Sequence, residues 1–319
     1  MEVSGTKKYY PELDIVKGIA ILLVILGHSF CTFPFDLNAQ LPPVLGKVVR
    51  SFQMPLFFIA SGFLFSRKAG FGVFIRKKMF RLVLPWIVFS VLSVLLRILF
   101  SSFTHGGDLD ILSSLYEIVQ GYYYWFLYAL AIIMVVCYIV KNRYVLMTLC
   151  VLSVVCCLVT GVKDIEAFTV GRIAYYFPFF CFGMLMKHFY SSLIDNKVLA
   201  FVVLVLSVAI YVIFIVMDCT WRFVGLYVIT LSGSLLTWGL AVLLNRWKMP
   251  LLKHFGHYSL QYYLNHLLIM LPVYYVAKFM PIPPVLQLLM IWVVATVISL
   301  VMLKVQMKFK VFRLLCGIS

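Results

Sequence analysis

Charged residues are scarce in this sequence: Asp, Glu, Lys and Arg make up 12% of its 319 residues, against about 25% in a soluble domain. Hydrophobic residues account for 64%. Water therefore cannot be the main solvent of this chain. We predict an all-α, polytopic integral membrane protein, and we treat residues 1–319 as a single membrane domain because no segment outside the apolar runs is long enough to bury a core.

Several motifs of soluble enzymes and metalloproteins are also missing. The sequence contains no Gly-rich phosphate loop, no dinucleotide fingerprint and no His-Glu-x-x-His zinc motif. Its eight cysteines form no Cys-x-x-Cys pair. It has no Gly-x-Ser-x-Gly elbow that would present a serine nucleophile. We therefore predict no bound metal and expect most cysteines to be small packing residues.

Acidic residues are the scarcest charged class, with 11 Asp and Glu against 27 Lys and Arg. A net charge of +16 can indicate nucleic-acid binding, but the basic residues lie in alternate segments between apolar runs. This is the positive-inside pattern, with about twenty Lys and Arg on one side. We predict both termini in the cytoplasm, a multi-pass protein of the cell (inner or plasma) membrane, membrane lipids as its surroundings and no nucleic-acid partner.

The apolar runs number about ten, each long enough to cross the hydrocarbon layer with some allowance at its ends. The predicted spans are 13–33, 51–66, 80–100, 123–140, 144–161, 173–187, 198–217, 224–244, 258–277 and 284–304. The second and sixth are short and contain Pro55 and Pro178. Broken or tilted helices are expected there, because such breaks persist where they line a cavity.

Ionisable side chains inside these spans are few, and each is costly to bury unless it has a function. His28 lies in the first span and His266 in the ninth, both near mid-depth. Lys17 precedes His28 by 11 residues, which is almost three helical turns, so the two share a face about 16 Å apart. Lys17 could bind donor phosphates while a flexible thioester arm reaches His28, whose imidazole could act as general base. The alternative is that Lys17 is a snorkelling anchor and His28 a satisfied interior histidine.

Six segments in order resemble the membrane acyltransferase type 3 family, whose members O-acylate, mostly O-acetylate, cell-surface sugars. The first is Asp14–Gly18 continuing to Gly27 and His28. The others are residues 51–62 (SFQMPLFFIASG), Lys78–Arg81 ahead of Leu84 and Pro85, 124–127 (YWFL), 177–183 (FPFFCFG), and Ser259 and Leu260 leading to 263–266 (YLNH). The resemblance covers most of the chain.

The resemblance implies that acyl-CoA enters from the cytoplasm as the donor, and acetyl-CoA is the expected form. It implies that His28 is the catalytic base and that Lys17, Lys78 and Arg81 are cations for the donor. Many relatives have Arg where Lys17 and Lys78 stand here; lysine loses the planar fork but still binds phosphate as a point charge. The implied acceptor is a sugar or lipid-linked saccharide, such as a polysaccharide or glycolipid precursor.

Six further residues are candidates for the site. We expect His266 to be a second catalytic residue and Gln53 and Ser61 to line the same cavity. Asp14, in the first-helix motif, is a further substrate-binding candidate. Trp125 could stack on a sugar and Glu117 could bind acceptor hydroxyls, although an interfacial aromatic belt and a surface charge are the ordinary interpretations.

A transporter or flippase of a small solute or acyl group is the alternative function, because broken helices and polar residues at mid-depth fit it as well. The sequence does not indicate which sugar and hydroxyl accept the group, which acyl chain is used, which membrane face meets the acceptor, or the oligomeric state.

Overall fold

A computed structural model describes residues 9–32, 35–37, 40–99, 111–160, 169–217 and 224–318, which are chiefly helical. The helices are α1 (Pro11–Phe30), α2 (Pro43–Arg50), α3 (Gln53–Phe63), α4 (Phe71–Lys78), α5 (Leu84–Leu99), α6 (Ile111–Val119), α7 (Trp125–Ile139), α8 (Arg143–Thr160), α9 (Val170–Asp195), α10 (Lys197–Val216), α11 (Val224–Leu244), α12 (Pro250–His257), α13 (Ser259–Ala277), α14 (Pro284–Lys308) and α15 (Lys310–Leu315). A π-helix (Met79–Val83) joins α4 to α5, and a 3₁₀ turn (Asn245–Trp247) follows α11. Two short antiparallel strands, β1 (Cys31–Thr32) and β2 (Phe35–Asp36), pair Cys31 with Asp36 and Thr32 with Phe35.

Each of the ten predicted apolar spans coincides with a helix, and α11 has the predicted bounds 224–244. Residues 33, 100 and 161, at the ends of three spans, lie outside the described residues. Five helices in the described part of the chain are long and apolar enough to cross a membrane: Pro11–Phe30, Phe71–Leu99, Val198–Val216, Val224–Trp247 and Pro284–Lys308. The described part of the chain is thus helical apart from the strand pair, and its apolar helices are those of a membrane protein. Ten crossings and cytoplasmic termini stay predictions.

The two proline-containing spans differ from each other in the structure. α3 has 11 residues, about 16 Å, and Pro55 lies in its first turn, where a missing N–H costs no helical hydrogen bond. α9 has 26 residues and continues through Pro178. The expected break therefore does not occur in α9, which is longer at both ends than the predicted span 173–187, whereas α3 is too short to cross about 30 Å of hydrocarbon alone.

Glycines let two pairs of helices meet backbone to backbone. A Cβ at Gly18 of α1 would overlap the carbonyl oxygen of Leu252 in α12, and one at Gly256 of α12 would overlap the Asp14 carbonyl. Gly62 of α3 and Gly183 of α9 meet in the same way. Small residues at such crossings gain close packing, which is the main source of helix association in a membrane.

The contacts between α3 and α9 fix their relative register. Tyr176 stacks on Phe58 with ring centroids 4.6 Å apart, and four residues further along both helices the Phe180 carbonyl lies against Gly62. The two helices therefore run in the same direction. This register places Arg172, near the start of α9, level with Gln53 at the start of α3.

A reciprocal amide pair joins α13 to α14 inside the bundle. Gln306 donates to Asn265 Oδ1 at 2.7 Å and Asn265 donates to Gln306 Oε1 at 3.2 Å. Asn265 is fully buried and Gln306 is 8% exposed. Each amide thus satisfies the other, as a buried polar group must in a medium without water.

Replacing Asn265 with leucine is expected to lower the free energy of unfolding by about 1–2 kcal/mol, because Gln306 is left buried without its partner. The double replacement Asn265→Leu, Gln306→Leu removes both polar groups and should regain part of that loss. Thermal unfolding in detergent measures the single variants Asn265→Leu and Gln306→Leu and the double variant. A double variant whose loss of stability equals or exceeds the sum of the two single losses would show that the pair does not act as a unit.

Candidate active site

The two intramembrane histidines meet. The rings of His28, near the end of α1, and His266, in α13, have centroids 5.1 Å apart and planes inclined at 51°. His266 is fully buried and His28 is half-buried. Residues 238 positions apart in sequence therefore form one imidazole pair, as expected if both line a single cavity.

His266 has a defined tautomer. Its Nδ1 lies 3.1 Å from the Tyr262 carbonyl oxygen, which can only accept, so Nδ1 carries the hydrogen. Its Nε2 is then an acceptor, and it is buried without a hydrogen-bond partner among the described residues. Such a buried nitrogen can accept a hydrogen bond from a substrate hydroxyl or a water.

The end of α1 that carries His28 is fixed from two sides. The Tyr274 hydroxyl of α13 donates to the His28 carbonyl at 3.0 Å and also contacts the Ser29 carbonyl. On the other side, a Cβ at Gly27 would lie 2.9 Å from Gln53 Oε1, so glycine admits the Gln53 side chain. Gln53 Oε1 is itself buried without a partner among the described residues. The structure thus places Gln53 against Gly27, the residue that precedes His28.

Arg50, the last residue of α2, also lies at this end of α1. Its guanidinium is 5.7 Å from the centroid of the Phe30 ring, two residues beyond His28. The side chain is exposed. Sequence reasoning missed Arg50, because α2 is a short helix between the first two apolar spans and an arginine between spans carries no signal of function.

A chain of aromatic rings leads away from the histidine pair. Tyr263 lies 5.6 Å from His266, Phe126 lies 5.4 Å from Tyr263, and Trp125 follows Phe126 at the start of α7. Tyr176 stacks on Trp125 at 5.1 Å. The guanidinium of Arg172 lies 4.9 Å from the centroid of the Trp125 ring. Trp125 is therefore close to the site, but Tyr176 and Arg172 already pack on its ring.

Lys17 lies at the opposite end of α1, which is unbroken between it and His28. Its ammonium forms an ion pair with Asp14 at 2.7 Å, and Tyr9 donates to the same carboxylate at 2.8 Å. The hydrogen bond to Asp14 is the main reason that the pKa of Tyr9 rises to about 12, so Tyr9 stays a donor at neutral pH. Asp14 is 6% exposed and holds Lys17, which keeps part of its side chain accessible.

Lys78 and Arg81 lie at the π-helix between α4 and α5. Pro85 has no N–H to bond the Arg81 carbonyl, and the wider π turn, Met79–Val83, absorbs that loss. Gly317 packs there, since a Cβ on it would lie 2.7 Å from the Arg81 carbonyl. Arg81 is exposed, and Lys78 lies 5.5 Å from the centroid of the Phe74 ring. Single-turn π segments are frequent at functional sites.

The two remaining candidates differ in position. Ser61 is half-buried and eight residues beyond Gln53 on α3, about 12 Å deeper along the helix and so between the levels of His28 and Lys17. Glu117 on α6 accepts hydrogen bonds from Arg97 at 3.3 Å and Tyr123 at 3.0 Å. Among the described residues no contact brings Glu117 to the histidine pair.

Elsewhere in the fold, an apolar groove of about 650 Å³ lies between α5, α13 and α14. Leu92, Leu268, Pro272 and Met290 are among its lining residues, all of which are apolar. Such a lining offers no acid, base or hydrogen-bond donor for chemistry. Within the described residues no group of His, Cys, Asp and Glu side chains is placed to hold a metal ion.

Comparisons with known proteins indicate the family to which the chain belongs. A family model described as an acyltransferase domain matches residues 10–304. Nodulation protein NolL of Sinorhizobium fredii (strain NBRC 101917 / NGR234) is 28% identical over 191 residues, which cover 57% of this chain and 50% of that protein. The chain thus spans about half the length of the curated relative it matches. No solved structure matches the chain.

Proposed function

Since the chain belongs to the membrane acyltransferase type 3 family, we propose that it transfers an acyl group, acetyl in the first instance, from cytoplasmic acyl-CoA to a hydroxyl of a cell-surface sugar. The acceptor would be a polysaccharide or glycolipid precursor, and His28 would be the general base. The observation that carries this proposal is the pairing of His28 with His266 inside the bundle.

The proposed reaction needs one proton acceptor and one proton donor. The imidazole of His28 removes the proton from the acceptor hydroxyl as its oxygen attacks the thioester carbonyl carbon. A carbon–oxygen bond forms, the carbon–sulfur bond breaks, and the sulfur of coenzyme A takes the proton back from the imidazolium. The products are the O-acyl sugar and coenzyme A thiol, so His28 ends each turnover in its starting form.

His266 would assist through its unpartnered nitrogen. Nε2 carries a lone pair because Nδ1–H donates to the Tyr262 carbonyl, and a lone pair beside His28 lowers the cost of the positive charge that His28 acquires. Gln53 Oε1, also buried and without a partner among the described residues, can accept a hydrogen bond from an acceptor hydroxyl.

The donor side of the proposal rests on α1. Its unbroken course keeps Lys17 about 16 Å from His28 on one face, a distance that the extended arm of a coenzyme can cover. Asp14 holds Lys17 by the ion pair at 2.7 Å, so Asp14 acts in this scheme as a positioning residue. Lys78 and Arg81 would supply further cations for the phosphates.

Purified protein incubated with radiolabelled acetyl-CoA and lipid-linked saccharides is expected to produce labelled saccharide. In the same assay Lys17→Met should raise the KM for acetyl-CoA about tenfold and change kcat little, because it removes one charge–phosphate contact. Lys141→Met is the control, because Lys141 is an exposed lysine between α7 and α8 and no described contact brings it to Lys17.

Absence of any acyl-CoA-dependent transfer would refute the enzyme assignment. Proteoliposomes loaded with the same saccharide or with acetate then test the transporter alternative directly. Movement of solute without acyl-CoA would support that alternative in place of the enzyme.

A further inference from the structure

Arg172 is a half-buried cation near the site that the proposed reaction does not use. It lies in the first turn of α9, level with Gln53, and its side chain is half-buried. Partial burial of a charged group is costly unless an opposite charge or a ligand compensates it. No carboxylate among the described residues forms an ion pair with it; the ion pairs there are Lys17 with Asp14 and Arg97 with Glu117.

A chain of ring contacts connects the position of Arg172 to the histidine pair. Its guanidinium packs on the ring of Trp125 at 4.9 Å. Trp125 contacts Phe126, whose ring lies 5.4 Å from that of Tyr263. Tyr263 in turn contacts His266. A planar guanidinium held against an indole keeps its N–H groups available at the edge, which is the geometry that binds carboxylate or phosphate.

Arg50 places a second guanidinium near the end of α1 that carries His28. It lies 5.7 Å from the centroid of the Phe30 ring, two residues beyond His28. Of the acids whose side chains the structure describes, Glu117 is engaged with Arg97 and Tyr123, Asp14 with Lys17 and Glu12 with Tyr190. None of these three carboxylates therefore contacts Arg172.

Building on the proposed function, we propose that Arg172, seated on Trp125, binds an anionic group of the acceptor. The shared chemistry is a pair of anionic oxygens, supplied either by the carboxylate of an acidic sugar or by the phosphate that links a sugar to its lipid. Trp125 then positions Arg172 and does not itself stack on the sugar. The acceptor class is an acidic or phosphate-linked saccharide.

Three alkyl glycosides test the carboxylate as the source: octyl glucuronide, its neutral methyl ester and octyl glucoside. Wild-type protein is expected to acetylate the glucuronide with a kcat/KM about 10- to 100-fold above the neutral pair. Arg172→Met should remove that preference without changing the KM for acetyl-CoA, and Arg172→Lys should restore part of it. A polyprenyl-phosphate-linked glucose tests the phosphate as the source. If the wild type prefers it to octyl glucoside and Arg172→Met removes that preference, the anion belongs to the lipid linkage.

Arg143→Met is the matched control, because Arg143 also packs on an aromatic ring, that of Tyr144 at 4.8 Å, but lies at the start of α8. It should keep the wild-type preference.

Two outcomes overturn the inference: equal use of charged and neutral acceptors by the wild type, or an equal loss of activity with all acceptors in Arg172→Met. His28-dependent transfer would still support the enzyme in either case. If no transfer occurs with any acceptor, binding of radiolabelled octyl glucuronide and octyl glucoside decides: tighter, Arg172-dependent binding of the glucuronide supports the anion site, and equal binding refutes it.

Discussion

Replacing His28 with alanine is expected to lower kcat for acetyl transfer about 10²- to 10⁴-fold, the usual contribution of a general base. The reason is that, among the described residues, His28 is the only histidine whose ring contacts His266. No second imidazole is in place to take the acceptor proton. The KM for acetyl-CoA should stay within about twofold, because the proposed phosphate contacts lie at the other end of α1. Initial rates with radiolabelled acetyl-CoA, at saturating acceptor, measure both quantities.

His188→Ala is the control for this prediction, since His188 is an exposed histidine of α9 and should retain wild-type rates. His266→Ala should reduce kcat by less than His28→Ala, because His266 assists the base and does not take the proton in our scheme. A His28→Ala protein that is folded by size-exclusion chromatography and transfers acetyl at the wild-type rate would rule His28 out as the base.

Replacing Gly256 with valine is expected to abolish activity and to lower the free energy of unfolding by about 3 kcal/mol, at the upper end for overpacking. The Cβ alone would overlap the carbonyl oxygen of Asp14, and a backbone atom cannot rotate away as a side chain can. α1 must then separate from α12, which moves Asp14 and Lys17 relative to the rest of the site. Thermal unfolding in detergent and the acetyl-transfer rate measure the two effects.

Gly72→Val is the matched control, because nothing lies within 4 Å of a Cβ built at Gly72 in α4. It should change stability by no more than about 1 kcal/mol, the range of helix propensity. Gly256→Val with wild-type stability and rate would show that α1 and α12 do not meet as closely as the structure indicates.

The apolar spans could be predicted from the sequence because a membrane helix needs a long run of apolar residues, and such a run is visible without any tertiary information. The bounds of α11 and the start of α14 follow from it directly. Short helices such as α2 and α12 carry no comparable signal, since eight residues show little periodicity. Their positions come from contacts with α1 and α3, which only the fold supplies.

The site was predicted in part for a similar reason. His28 and His266 could be singled out because a titratable group inside an apolar span needs an explanation, and their proximity followed from equal depth. Arg172 stands near the end of a span, where an arginine ordinarily anchors to headgroups, so its sequence position carried no signal. Its place on Trp125 and its level with Gln53 depend on the register of α3 and α9.

The shortness of α3 and α7 has a consequence for hydration. With 11 and 15 residues, they extend about 16 and 22 Å, less than the thickness of a bilayer interior. Backbone groups beyond their ends need water or protein partners, because lipid offers none. A hydrophilic group that reaches the imidazole pair from the ends of these two truncated helices would therefore leave water over a shorter distance than a full layer of lipid tails.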